Sequence, residues 1–249
     1  MAQILEKIDD NLNVGGKQGR YTGEAVNTLP IYGYFPVYEP HGKGIMRYDD
    51  GSVYEGQWEN GQYSGTGKYT TKDEEYVGTW SNGIRVGRGR LTTNGGTRTY
   101  DGWFEAGKRS GTGTLKYGST GVSYSGEWKD DVPKGKGTWR WANGDWWEGT
   151  WGGTWGKDAI GKGRTLSHYK EGGSYEGETL GPKFTGQAKV ISKSGNVYRG
   201  MCRDNQKHGD GTLKTTDGML YEGSWHNGKK TGRFKITDLS TGVVKKRNF

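Results

Sequence analysis

Two stretches of the 249-residue sequence come close to a phosphate-cradling glycine loop, Gly102-x4-Gly107-Lys108-Arg109 and Gly223-x4-Gly228-Lys229-Lys230. Such a loop needs Ser or Thr directly after the lysine to meet a metal ion, and a helix start behind it to hold the phosphate. Both stretches lack the hydroxyl residue, and both fall where the chain reverses between strands. The four histidines are His41, His168, His208 and His226. Two of them directly precede glycines of a recurring pattern, which makes them repeat positions rather than a ligand cluster. The carboxylates recur with the same pattern. The single cysteine, Cys202, excludes an internal disulfide framework and a multi-cysteine zinc site. The expected chemistry is therefore none: no catalytic residue, no metal, no cofactor and no small-molecule substrate.

The elements that carry these residues must be built without an ordinary core. Leu, Ile, Val and Phe together number only 35, while glycine supplies 48 residues, Tyr 16 and Trp 11. So few aliphatic residues exclude a helical bundle or a doubly wound α/β domain. So many aromatic ones exclude a disordered chain. Only 5 prolines exclude collagen. What remains is an interior made of rings and glycine.

A repeat supplies it. Tyr54-Glu-Gly56-Gln-Trp58 is followed by Tyr76-Val-Gly78-Thr-Trp80, Tyr100-Asp-Gly102-Trp-Phe104, Tyr124-Ser-Gly126-Glu-Trp128 and Trp147-Glu-Gly149-Thr-Trp151. Weaker copies start at Tyr175 and Tyr198, Tyr221-Glu-Gly223-Ser-Trp225 is clean, and a degenerate first copy starts at Tyr21. Eleven residues after the tyrosine comes a second element, as in Gly65-x-Gly67, Gly87-x-Gly89, Gly111-x-Gly113, Gly135-x-Gly137 and Gly209-x-Gly211. Inserts near residues 26–40 and 152–160 break that offset.

Alternation in Tyr-x-Gly-x-Trp places the named residues on one face of a strand. Asn60-Gly61, Asn82-Gly83 and Asn227-Gly228 then reverse the chain, so each repeat is a hairpin. Pairing Trp58 with Gly65 sets Gly56 opposite Gly67 and Tyr54 opposite Tyr69, and rings lie over bare glycine backbone. The other face alternates acidic strands (Glu55, Asp101, Glu127, Glu222) with basic ones (Lys68, Arg90, Lys136, Lys235). Much of the formal charge of +8 is thereby spent within the sheet, which weighs against nucleic acid as a partner.

Tyr-x-Gly-x-Trp-x-x-Gly followed by Gly-x-Gly, every 23 or so residues, resembles the MORN repeat (membrane occupation and recognition nexus). The resemblance covers about residues 21–236. It implies an all-β fold: an elongated, single-layer, twisted antiparallel sheet of about nine hairpins, with a shallow aromatic groove on one face. Residues 1–20 are expected as a capping segment, with Ile4, Leu5, Ile8 and Leu12 forming the stripe of a short helix that ends at Gly15-Gly16. Residues 237–249 are expected as a solvated tail.

A one-layer sheet leaves part of its aromatic row to meet a partner. The groove residues are expected to be Tyr54, Trp58, Tyr76, Trp80, Tyr100, Phe104, Tyr124, Trp128, Trp147, Trp151, Tyr175, Tyr198, Tyr221 and Trp225. The expected function is a non-catalytic scaffold or adaptor that binds or spaces protein partners. Proteins with such repeats resemble scaffolds at membranes, the cytoskeleton, cilia and large assemblies, so a structural subunit of a large complex and a tether to anionic, phosphoinositide-containing membranes are the alternatives. Open sheet edges also invite self-association. No signal-peptide pattern, long apolar run or Asn-x-Ser/Thr acceptor occurs, and a soluble, reducing, cytoplasmic setting is expected.

Overall fold

The structure, a computed structural model, describes residues 5–28, 37–152, 163–180 and 183–249. All its regular elements are β-strands; the described residues contain no helix. Two compact units are present, one over Met1–Ser119 with Lys129–Asp131, the other over Thr120–Trp128 with Val132–Phe249.

The first unit is a meander of β1 (Leu5–Val14), β2 (Lys17–Thr28), β3 (Val37–Tyr48), β4 (Val53–Glu59), β5 (Gln62–Thr70), β6 (Glu74–Ser81), β7 (Ile84–Thr93), β8 (Arg98–Glu105) and β9 (Lys108–Tyr117). Each strand pairs antiparallel with the next. The second unit continues the pattern with β10 (Val122–Lys129), β11 (Val132–Arg140), β12 (Trp146–Gly152), β13 (Gly163–His168), β14 (Ser174–Leu180) and β15 (Lys183–Ile191). It ends with β16 (Val197–Arg203), β17 (Gln206–Lys214), β18 (Met219–His226), β19 (Lys229–Asp238) and β20 (Val244–Asn248). From β11 onward each strand is again antiparallel to its successor. Within each unit strands pack almost solely on their sequence neighbours, so each unit is one layer thick.

Hairpin turns follow the expected chemistry. Asn60 and Gly61 have φ of 48° and 71°, the double positive φ that a tight two-residue turn requires and that Asn-Gly tolerates. The register inside the hairpin differs from the expectation. Tyr54 does face Tyr69, and Gly56 faces Gly67. Trp58, however, lies opposite Tyr63 rather than Gly65, because a bulge between Gly56 and Gln57 shifts the pairing. Gly65 belongs to that bulge, with φ of +53°, and faces Trp80 on the next strand. The same shift follows Gly78, Gly102 and Gly177. The two glycines of Gly-x-Gly thus have separate causes: the first turns the backbone through a left-handed conformation, and the second lies under a ring.

Residues 5–14 form strand β1, not a helix, and pair with β2 across Gly15-Gly16. Ile8 and Leu12 are four apart, a spacing that keeps two residues on one face of a strand as well as of a helix. Leu5 breaks the two-residue alternation and is 51% exposed. Gly15 and Gly16, with φ of 60° and 82°, make a reversing turn instead of a helix end. The C-terminal residues are not a free tail either. Strand β20 pairs with β19, and the Phe249 ring meets Phe234 edge-on at 5.3 Å. The insert near residues 26–40 partly lengthens a hairpin, since Val26 faces Glu39 and Thr28 faces Val37. Residues 29–36 and 153–162 lie outside the described residues.

Candidate partner-binding face

Tyr21, Tyr54, Tyr76, Tyr100, Tyr124 and Tyr198 each point along their own strand and lie flat on the paired glycines. A Cβ at Gly67 would collide with the Tyr54 ring, one at Gly89 with Tyr76, one at Gly113 with Tyr100 and one at Gly137 with Tyr124. The hydroxyl then donates to the carbonyl three residues on: Tyr54 to Gln57 at 2.8 Å, Tyr76 to Thr79 at 3.1 Å, Tyr100 to Trp103 at 3.0 Å, Tyr124 to Glu127 at 3.0 Å and Tyr198 to Met201 at 2.8 Å. That carbonyl stands at the bulge, where ladder pairing is interrupted, and an unmatched buried carbonyl is costly. The bulge therefore explains why the position holds tyrosine rather than phenylalanine. The residue beside the glycine closes the loop from the other side: the Gln57 Oε1 accepts from the Thr66 amide at 2.7 Å, and Glu127 does the same for Lys136 at 3.2 Å.

Between the tyrosines stand Trp58, Trp80 and Phe104, each edge-on to two repeat tyrosines. In the first unit the chain of rings runs Tyr21, Trp58, Tyr54, Trp80, Tyr76, Phe104, Tyr100, with centroids 4.9–5.6 Å apart and planes near perpendicular. This edge-to-face geometry contributes about 0.5–1.5 kcal/mol per pair beyond area burial. The indole N–H groups donate across the sheet, Trp58 to the Gly44 carbonyl and Trp80 to the Gly67 carbonyl, both at 3.2 Å.

The result is that most of the expected groove residues are closed over by the chain itself. Tyr54, Trp58, Tyr76, Trp80, Tyr100, Phe104, Tyr124, Trp128, Tyr175, Tyr198 and Trp225 are all buried. Burial drives their phenols above the ordinary tyrosine value, Tyr76 to about 12. Trp147 and Tyr221 are only partly buried. Trp151 lies in β12, and its side chain falls outside the described residues.

Tyr221 departs for a visible reason. The second glycine of its repeat is replaced by Phe234, whose ring occupies the space above Gly223. Tyr221 is displaced from that bed and carries the Lys230 Nζ 3.2 Å from its ring centroid instead. Cys202 fills a tryptophan slot and is buried, which raises its thiol pKa.

What remains accessible on this face comes from positions the repeat leaves variable. Nine residues after the tyrosine stand Tyr63, Arg85, Arg109, Phe184, Lys207 and Lys230. Each lies on the ring of its own repeat. Tyr63 stacks on Tyr54 at 3.7 Å and Phe184 on Tyr175 at 3.7 Å, while the Arg85 guanidinium sits 4.8 Å from the Tyr76 centroid and Lys207 5.5 Å from that of Tyr198. In the first unit this row opens into a groove of about 810 Å³, floored by Tyr48, Tyr63, Tyr69 and Trp80 and flanked by Tyr38, Pro40, Ile84 and Arg85. Tyr48 and Tyr63 are joined hydroxyl to hydroxyl at 2.5 Å, and Ile84 is 47% exposed. Of the expected groove residues only Trp80 contributes to the floor. Tyr69 is the residue that the repeat sets opposite Tyr54, whereas Tyr48 and Tyr63 lie at offsets where the repeat shows no fixed residue type.

No group of three or more His, Cys, Asp or Glu among the described residues has the arrangement to hold a metal ion. His208 and His226 stand 5.0 Å apart as ring neighbours across paired strands.

The family profile described as MORN repeat matches residues 39–53, 54–74, 76–98, 100–122, 124–146, 198–220 and 221–233, together more than half of the sequence. The chain belongs to the MORN-repeat family. Two further copies that the profile does not match keep the MORN geometry: Tyr21 and Tyr175 are buried and donate to Glu24 and Glu178 in the same way. Among curated proteins the chain is similar to Alsin of Rattus norvegicus, 31% identical over 149 residues, and to Alsin of Homo sapiens, 29% identical over 149 residues. The match covers 58% of this chain and 8% of either relative's length. A solved Drosophila melanogaster structure, the SAS-4 TCP domain in complex with a proline-rich motif, overlaps 74% of this chain and 90% of its own. Its TM-score is 0.33 and its identity 8%, a likeness too slight to carry any argument.

Proposed function

We propose that this protein is a non-catalytic adaptor whose MORN sheet docks a short apolar segment of a protein partner. The groove over Tyr48, Tyr63, Tyr69 and Trp80 is the observation that carries this reading. Aromatic floors of this kind combine large contact area with little side-chain entropy to lose, which is why Tyr and Trp dominate binding hot spots. The floor is also rigid before any partner arrives, since Tyr63 is stacked on Tyr54 and hydrogen bonded to Tyr48. Arg85 and Lys17 at the rim are engaged by Glu74 and Asp50, so the groove selects for shape and apolar character more than for charge. Spacing of partners along the repeats, in the cytoplasm or in a larger assembly, fits the same reading.

The test is purification of the native protein with identification of its partner by mass spectrometry, followed by titration of that partner against two variants. Ile84→Asp with Tyr63→Ala should weaken binding at least tenfold, whereas Glu55→Ala, on the opposite face, should leave it intact. Equal affinity of all three for the partner would overturn the groove as the binding surface.

A further inference from the structure

Strands β1 and β20 are each paired on one side only among the described residues, and their charges are opposite. Strand β1 carries Glu6, Asp9 and Asp10 against the single cation Lys7, while β20 carries Lys245, Lys246 and Arg247 with no acid. Strand β20 also breaks the acid–base alternation of the sheet. Its neighbour β19 holds Lys229, Lys230, Arg233 and Lys235, so two basic strands lie side by side. All five residues of β20 are exposed, as are Asp9 and Asp10.

We propose that these edges join copies of this chain head to tail, β20 of one copy adding as a strand to β1 of the next. An unpaired strand edge presents its backbone groups as a template for another strand. Here the charges decide which strand is accepted. Two β20 edges would set Lys245, Lys246 and Arg247 against their own kind, and two β1 edges would set Asp9 and Asp10 against each other; like charges directly opposite repel. Only the unlike pair is attractive.

The faces agree as well. Lys245 is on the ring-bearing side, opposite Ile236, and Arg247 opposite Phe234. Asp10 is on the corresponding side of β1, opposite Tyr21. Antiparallel addition with Lys245 opposite Asp10 therefore places Lys246 opposite Asp9 on the other side, and keeps the aromatic faces of the two copies continuous. Because the two surfaces are different, the contact is heterologous: it propagates or closes into a ring, and does not stop at a two-fold dimer. This inference is independent of the groove and goes beyond it.

Sedimentation velocity over a concentration series tests it. At low salt the weight-average size should rise with concentration, and it should return to monomer at high salt, where exposed charges are screened. K245D/K246D/R247D alone and D10K alone should each stay monomeric at low salt, and mixing the two should restore association, because each supplies the edge the other has lost. Circular dichroism confirms that each variant remains folded. Asp10 accepts only the adjacent Asn11 amide among the contacts of the described residues, so D10K leaves the Asp9–Arg20 pair intact. Wild-type protein that stays monomeric at low salt would overturn the proposal, as would an oligomer that neither variant weakens. So would a monomer that instead co-sediments with phosphatidylserine vesicles through the three basic residues, which would assign β20 to a membrane surface.

Discussion

The Tyr100 ring lies on Gly113 while its hydroxyl reaches the Trp103 carbonyl at 3.0 Å, so one side chain covers the sheet and satisfies the backbone where the ladder breaks. The arrangement recurs at Tyr21, Tyr54, Tyr76, Tyr124 and Tyr198, and it ties the Tyr-x-Gly-x-Trp half of the repeat to the Gly-x-Gly half.

Removing only the hydroxyl isolates the second role. Tyr100→Phe keeps the ring over Gly113 and leaves the Trp103 carbonyl without its donor. The expected cost is about 1–3 kcal/mol, read from the shift of the urea midpoint with an unchanged slope. Tyr221→Phe should cost little, since Tyr221 is displaced from its glycine bed.

Glycine substitutions separate backbone strain from collision. Gly61→Ala meets no neighbouring atom and is strained only by its φ of +71°, a cost of about 1–2 kcal/mol. Gly67→Ala has no such strain but drives its methyl into the Tyr54 ring, an overpacking cost of about 3 kcal/mol or more. In a Tyr54→Ala background the Gly67→Ala cost should shrink, and a double-mutant cycle measures that coupling.

Alkaline pH should unfold the sheet steeply. Burial holds the Tyr76 phenol near 12 and lifts those of Tyr54, Tyr100, Tyr124, Tyr175 and Tyr198 in the same direction. In the unfolded chain each ionises near 10. A raised folded pKa leaves stability intact below about pH 10 and removes it as pH climbs from there toward the folded value. Each buried tyrosine adds a loss of up to about 1.4 kcal/mol per pH unit in that window. Urea midpoints from neutral pH to pH 11.5, with tyrosinate absorbance followed in parallel, should show a flat region and then a sharp fall.

Cys202 should be sluggish toward iodoacetamide in the native protein at pH 8 and fast in urea. It is 4% exposed, and burial disfavours its thiolate. Cys202 pairs with Gly186 on β15 and Lys207 on β17 and packs with Tyr175, Tyr198, Trp225 and Phe234, so the native rate reports local opening of the sheet around β16.

The sequence made the strands, the turn residues and the ring-on-glycine stacking legible, because Tyr54, Gly56 and Trp58 alternate and Asn60-Gly61 reverses the chain. It did not reveal the bulge: Gly65 looks like its neighbour Gly67, and only the left-handed backbone distinguishes them. Spacing by four made Ile8 and Leu12 equally suited to helix and strand, and pairing with β2 decides the matter. Strand β20 carries no repeat signature at all, so only its pairing with β19 exposes it. In the groove Tyr63 is partly exposed and holds a position taken by Arg85, Arg109, Phe184, Lys207 and Lys230 in other repeats, which is where a shared scaffold leaves room for selectivity.

One consequence concerns how such a chain changes over generations. Because strands in each unit lean almost solely on their immediate neighbours, excising the segment from Tyr76 to Thr99 would rejoin β5 to β8, two strands that carry the same glycine and ring positions as those they replace. Gains and losses of whole hairpins then leave every surviving joint chemically unchanged, so repeat number can drift by duplication and deletion while each joint stays under selection.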